Sequence, residues 1–261
     1  MRMTDEIPGM DYSKASMMRV QADMALAFLE PMRAILTKDD DIVFIIAPDK
    51  IRVRMRDIGS IALIDAEVDI QQAQANGNVT DAILKEGIVM VRFDRFLTAV
   101  KSFGDENVAI VAGKDRLFIQ SDFARRTMPL IYSDDWAEPK KPELSLDFQS
   151  FADMKVLKRA ADVDVDNDMG DCVILDVKED GVWSVSVGED RDMSEVMGGR
   201  GTNDSQERIR TAYSKDYVLE ILRRVKVDSV RISADKDMPM EMEYYADDYR
   251  VTILLAPKIK R

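Results

Sequence analysis

The stretch Asp162-Val163-Asp164-Val165-Asp166-Asn167-Asp168 sets four carboxylates at every second position, the spacing with which a calcium loop grips its ion. Such a loop also needs a glycine at its sixth position, for the sharp turn, and a bidentate glutamate at its twelfth. Asn167 and Val173 stand at those places, so a solvated acidic loop is the simpler account and no metal is expected. Gly198-Gly199-Arg200-Gly201 has the glycines of a phosphate cradle but not its Lys-Ser/Thr ending, and reads as the mobile end of a hairpin. The chain contains no histidine, which removes the commonest general base and the commonest metal ligand together. What chemistry remains would be carboxylate-dependent, such as a metal hydrolase whose nuclease activity is lost on mutating Asp164 and Asp166. The balance of these motifs is against an enzyme and against any cofactor.

The composition points the same way. Of the 261 residues, 46% are hydrophobic and 33% charged, enough apolar mass for one large or two ordinary domains. The net charge of −12 argues against indiscriminate nucleic-acid binding, although a total says nothing about how charge is spread over faces. There is no run of 18 apolar residues, and Met1 to Tyr12 carries acids and a proline where a signal peptide would carry an apolar core. A cytoplasmic protein with no membrane partner is expected. The single cysteine, Cys172, lies beside Val173, Ile174 and Leu175, so it reads as a small buried residue, and no disulfide can form within the chain.

The elements that must carry any site follow from periodicity. Ser16–Gln21 reads as a strand, and Ala22–Leu36 as a helix that Pro31 must kink or delay. Strands are expected over Asp41–Ala47, Ile51–Met55, Ser60–Val68 and Ile88–Val91, with Asn76-Gly77-Asn78 as a loop. A helix over Arg92–Phe103 precedes a hairpin, Val108–Val111 and Arg116–Gln120, turning at Gly113-Lys114-Asp115. Met128 to Leu146 then holds Pro129, Pro139 and Pro142, which cannot donate to a ladder, so it reads as a tether. Tyr132 and Trp136 are unusual in a plain linker; each is tucked against its own domain or helps form a docking surface.

Beyond the tether the same order returns: helix Phe151–Asp162, with Phe151, Met154, Leu157 and Ala161 on one face, strands Val173–Val177 and Val182–Val187, strand Arg208–Tyr213, helix Lys215–Lys226 and strand Val230–Ser233. Asn107–Asp115 parallels Ser229–Asp237, Asp49-Lys50-Ile51 parallels Asp180-Gly181-Val182, and Ala22-Asp23-Met24 recurs as Ala152-Asp153-Met154. The expected fold class is therefore α+β, a duplicated unit of helices and strands.

Charge is not spread evenly over that plan. Over the four expected helices eleven bases, Arg33, Arg92, Arg95, Lys101, Lys155, Lys158, Arg159, Lys215, Arg223, Arg224 and Lys226, face seven acids, so the helices are net basic in an acidic chain. Either these are ordinary solvated helix faces, or the helices share one side and form a basic surface offering phosphate contacts without base reading.

The C-terminal Met238-Pro239-Met240-Glu241-Met242-Glu243-Tyr244, followed by Val251-Thr252-Ile253-Leu254-Leu255-Ala256-Pro257-Lys258-Ile259, resembles the end of the PCNA family of sliding clamps, the archaeal type in particular. Arg56-Asp57-Ile58-Gly59-Ser60-Ile61-Ala62-Leu63-Ile64 resembles that family's first-domain loop and strand, and the proline-rich tether sits at its interdomain connector. The resemblance implies residues 1–14 as an extension, clamp domains over 15–128 and 144–261, and a connecting loop over 129–143. It implies the sliding-clamp fold, with helices on an inner face and antiparallel sheets outside, closing as a homotrimer around double-stranded DNA. On that reading Arg33, Arg92, Arg95, Lys101, Lys155, Lys158, Arg159, Lys215, Arg223 and Arg224 face the DNA. A pocket for partner peptides falls on Arg56, Ile61, Leu63, Trp136, Pro239, Leu254, Ala256 and Pro257, where Arg56 and Leu254 depart from the usual residue types. A DNA polymerase, a clamp loader and other proteins with clamp-binding motifs are the implied partners. Subunits are implied to join by Phe123 to Met128, with Phe123, Arg126 and Met128, against Trp183 to Val187, with Trp183 and Val185. A subunit of a heterotrimeric clamp is the rival within the same class.

Overall fold

The computed structural model describes residues 15–133, 135–165, 170–189, 192–246 and 248–258. Four successive units of strand, helix and three-strand meander build it. The first comprises β1 (Ser16–Gln21), α1 (Ala22–Leu29), β2 (Asp41–Ile46), β3 (Lys50–Arg56) and β4 (Ala62–Asp69). A short α2 (Ile70–Ala75) and β5 (Val79–Ile83) lead to the second: β6 (Gly87–Arg92), α3 (Phe93–Lys101), β7 (Asn107–Ala112), β8 (Arg116–Gln120) and β9 (Arg125–Pro129). The third holds β10 (Phe148–Asp153), α4 (Met154–Ala161), β11 (Cys172–Val177), β12 (Val182–Glu189) and β13 (Asp192–Arg200), with β14 (Thr202–Asn203) appended. The fourth is β15 (Ile209–Ser214), α5 (Lys215–Arg224), β16 (Ser229–Ala234), β17 (Met240–Ala246) and β18 (Tyr249–Leu255). This is the α+β duplication expected, with each half itself made of two units.

In each half the opening strand of one unit pairs with the meander of the other. One sheet runs β5-β1-β7-β8-β9, another β13-β12-β11-β15. The third has nine strands, β14-β10-β16-β17-β18-β4-β3-β2-β6, and crosses from one half to the other. The crossing is β4 against β18, antiparallel from Ala62↔Leu255 to Val68↔Tyr249. Period-two alternation puts Ile64, Ala66, Val68, Val251, Ile253 and Leu255 in the core, and Asp65, Glu67 and Arg250 on the other face. One buried apolar cluster spans both halves as a result.

The helices form a row on one side. α3 packs on α1, α1 runs on into the 3-10 turn Glu30–Ala34, that turn packs on α5, and α5 on α4. Pro31 explains the turn. It sits at the start of the 3-10 segment, where its missing N–H costs nothing, and ends α1 seven residues short of the expected Leu36.

Three expectations are corrected. Residues Phe151 to Asp153 are strand, not helix: Phe148, Ser150 and Ala152 are buried while Gln149, Phe151 and Asp153 are exposed, a period of two that leaves Phe151 on the outer sheet face. Asp153 then starts α4 by accepting from the Lys155 backbone N–H at 2.7 Å. Since Gln21 holds the corresponding place before α1, the repeated Ala-Asp-Met is out of structural register by two residues and is a chance match. Finally, Gly198 to Arg200 close β13 against β12 rather than forming a loose hairpin end. A Cβ on Gly198 would sit 2.2 Å from the buried Trp183 ring, whose Nε1 donates to Ser150 Oγ at 3.0 Å.

That contact yields a prediction. Gly198→Ala overpacks the Trp183 site and lowers stability by about 1–3 kcal/mol. Thermal unfolding should fall by about 2–4 °C for each kcal/mol lost, whereas an unchanged midpoint contradicts the packing account.

Candidate functional site

The helix row carries the cations that the sequence singled out, but it sorts them into two groups. Arg95, Lys101, Lys155, Lys158 and Arg159 are exposed and have no ion pair among the described residues. They lie on α3 and α4, whose opposite faces bury Phe93, Phe96, Leu97 and Val100, and Met154, Leu157, Ala160 and Ala161. The others are already engaged. Arg92 lies at the end of β6 with its Nε 3.3 Å from Asp41. Arg33 and Arg224 both meet Glu30, and Arg223 meets Glu220 at 2.7 Å.

Lys215 is corrected outright. It is 8% exposed at the first turn of α5, and its Nζ donates to the Val163 carbonyl and, at 3.0 Å, to Asp164. Its ammonium is used to hold the acidic loop, so it is withdrawn from the basic surface. Asp164, the carboxylate weighed for metal chemistry, is the exposed partner in that pair, and Asp166 to Asp168 lie outside the described residues.

The face of the nine-stranded sheet away from the helices holds the second candidate. The connector crosses it and is pinned by charge: Glu138 lies 2.6 Å from Arg52 and 2.9 Å from Arg54, while Lys141 lies 3.6 Å from Glu241. Burial works against the Arg54 charge, but Asp65, Glu138 and Glu67 together hold its pKa above the ordinary arginine value. On this face Leu63 and Leu254 are register partners, 5% and 4% exposed, with Arg56 exposed across from Leu63. Ile61, Pro239, Ala256 and Pro257 are half-buried at the ends of the neighbouring strands, Trp136 is half-buried in the connector, and the Ala256 N–H donates to the Ile61 carbonyl at 2.8 Å. Leu63, Leu254, Ile61 and Ala256 therefore come together at one end of β4 and β18.

Sequence reasoning missed how the loop beside that patch is held. The Asp57 carboxylate is 7% exposed and accepts from the Gly59 N–H at 2.9 Å, the Ala62 N–H at 2.7 Å and the Tyr217 hydroxyl of α5 at 2.7 Å. Burial and this bond push the Tyr217 hydroxyl up to about 12. The loop thus presents Ile58 at 94% exposure. An isoleucine between Asp57 and Gly59, in a turn where Ser60 has φ +57°, was the legible sign that this side chain has no core to enter.

Edge strands also needed correction. Trp183 and Val185 belong to β12, which is paired on both sides and buried, so neither can meet a neighbour by strand addition. That sheet ends in β13 and β15, and its counterpart in the other half ends in β5 and β9. Met128 packs into its own core at 6% exposure, Arg126 is exposed on β9, and Phe123 is 90% exposed in the turn before it.

No family model matches the chain. It is 27% identical over 260 residues to the DNA polymerase sliding clamp 1 of Aeropyrum pernix, covering 92% of this chain and 99% of that protein. It is 26% identical over 233 residues to the DNA polymerase sliding clamp of Thermococcus gammatolerans, covering 85% of this chain and 90% of that protein. Its structure superposes on A. fulgidus PCNA, solved with the C-terminal region of FEN-1 bound, with a TM-score of 0.78 and 16% identity over 94% of this chain and 99% of that one. Four repeated units, a nine-stranded sheet joining two halves, a single row of helices and these relatives agree: the chain is similar in sequence to archaeal DNA polymerase sliding clamps and shares the fold of PCNA.

Proposed function

We propose that this chain is a non-enzymatic processivity factor: three copies close into a ring around duplex DNA and tether a DNA polymerase and other replication or repair proteins to it. The observation that carries this is the row of four helices with exposed cations at Arg95, Lys101, Lys155, Lys158 and Arg159 that have no ion pair among the described residues, in a chain of net charge −12. Long, mobile cations over a smooth helical face meet phosphates without reading bases, and water-mediated contacts of that kind are weak enough to slide. An acidic remainder repels the duplex from every other approach. Residues 15–128 and 144–261 act as the two clamp domains, with 129–143 as the connecting loop.

Ring closure uses one terminal strand of each half, β9 of one copy against β13 of the next, because exposed ladders are satisfied by strand addition. Phe123 and Arg126 at the first edge, and Met193 and Met197, exposed at 45% and 56% on the second, become contacts. Partner peptides, including those of the clamp loader, dock on Ile61, Leu63, Trp136, Pro239, Leu254, Ala256 and Pro257, with Ile58 and Arg56 at the margin. An apolar peptide face with an acidic residue opposite Arg56 suits that surface. No helix among the described residues is long and apolar enough to cross a membrane. The cytoplasm of an archaeal cell, or of a virus-infected archaeal host, is the setting that suits such a factor.

Two outcomes test the reading. Replacing Arg95, Lys155 and Arg159 by Glu should cut stimulation of primer extension by roughly tenfold or more, with the mass in solution still three times that of the chain. Unchanged stimulation contradicts the assigned surface, and a chain that reaches three-subunit mass only with a different protein favours the heterotrimeric rival. Replacing Met193 and Met197 by Lys places unpaired charge at the ring contact and should shift the trimer to monomer without loss of secondary structure by circular dichroism. A trimer that survives this change rules out β13 as the joining edge.

A further inference from the structure

Four ion pairs meet where the halves join on the helix side. Glu30 Oε1 accepts from Arg33 Nη1 at 2.8 Å and from Arg224 Nη1 of the other half at 3.1 Å. Glu220 Oε1 accepts from Arg223 Nη1 at 2.7 Å, and its Oε2 lies 3.5 Å from Arg224 Nη2. Two carboxylates thereby hold three of the arginines that a phosphate would otherwise meet. A groove of about 430 Å³ opens over the Glu30 side of this cluster, and its charged lining is Asp23, Glu30, Arg33, Lys101, Arg224 and Lys226.

Stability alone does not account for the arrangement. The arginine side chains are 34%, 60% and 27% exposed in the order Arg33, Arg223 and Arg224, against 18% for Glu30 and 37% for Glu220, so the Arg223–Glu220 pair adds little to folding and the part-buried Glu30 pairs leave their arginines still within reach of water. The cost to DNA attraction is direct, since each carboxylate cancels a cation at the middle of the basic row while the outer cations on α3 and α4 have no ion pair among the described residues. We propose that Glu30, supported by Glu220, is a built-in competitor of phosphate. It takes the seam arginines while no phosphate is near, yields them only in part when one arrives, and so keeps the hold on the DNA backbone weak where the two halves meet. A duplex inside the ring then meets strong cations at α3 and α4 and self-neutralised ones between them, which lowers the barrier to moving from one phosphate to the next. This inference rests on the reading of the helix row as the DNA-facing surface.

The test is titration of a short duplex of arbitrary sequence with the intact trimer, by fluorescence anisotropy across a salt series. Glu30→Gln keeps a hydrogen-bond acceptor for one arginine and removes the charge. Binding should tighten by roughly two- to fivefold per arginine released. The slope of log K against log salt should steepen by about 0.9 for each phosphate gained. A merely structural role would lower the melting temperature and leave that slope unmoved. Glu220→Gln, at a more exposed site, should act in the same direction and serves where Glu30→Gln impairs folding. Unchanged or weaker binding with an unchanged slope in the folded variants overturns the proposal. Arg95→Glu with Arg159→Glu in the same titration separates the two levels. If that pair leaves DNA binding intact, the clamp reading itself fails; if it weakens binding while the glutamate variants do nothing, only the competitor role fails.

Discussion

The antiparallel ladder between β4 and β18 is the contact on which the molecule depends. Seven residue pairs, Ala62↔Leu255 through Val68↔Tyr249, turn two separately duplicated halves into one sheet. Because side chains alternate across that ladder, its apolar face seats the helices and its charged face seats the connector. Were the halves joined only by residues 129–143, they would be free to hinge, and the helix row would break between the 3-10 turn and α5. Other contacts guard the same seam. The buried Asp248 accepts from Asn76 at 2.5 Å and from Asn78, and its carbonyl accepts from the Asp69 N–H at 3.1 Å. Asp57 to Tyr217 and Glu30 to Arg224 cross it as well.

Charge is partitioned by the same geometry. On the outer sheet face cations are used as internal ties: Arg52 and Arg54 hold Glu138, and Arg231 and Arg250 flank Glu243, which is 2% exposed. A carboxylate so far from water is tolerable only with both partners in place, so these arginines are committed to the fold and add nothing to the field outside. On the helix side the reverse holds at α3 and α4, where the cations have no carboxylate partner among the described residues. An acidic protein thus acquires one cationic face through pairing rather than through composition.

Much of this was legible in the sequence, and the reasons are physical. Long amphipathic or alternating runs, such as Phe93–Lys101, Lys215–Arg224 and β7 with β8, have one solution each, and the duplication showed in matched turns at Asp49 and Asp180. The failures came where local pattern and tertiary pairing disagree. Phe151 fits a helical stripe by spacing, yet it points outward from β10, because Phe148 and Ala152 claim the core and Asp153 caps the helix after it. Trp183 to Val187 looked like an edge because nothing in one sequence says that β13 will cover it; only Gly198, small enough to admit the Trp183 ring, hinted at a partner strand. Ion pairing was the least legible of all. Lys215, Arg224 and Arg95 are alike in sequence, and only the fold decides that the first is buried, the second shared between two glutamates and the third exposed with no ion pair among the described residues. For the candidate site this meant that residue types and positions could be read, but not which charges remain available.

Encirclement is a topological claim and has a topological test. The protein, loaded onto a closed circular duplex, should remain bound at a salt concentration that strips ordinary electrostatic contacts. It should then be lost when a single cut linearises the circle. Equal retention on circular and linear DNA, or equal loss from both at that salt, would mean that the helix row holds DNA by affinity and not by surrounding it.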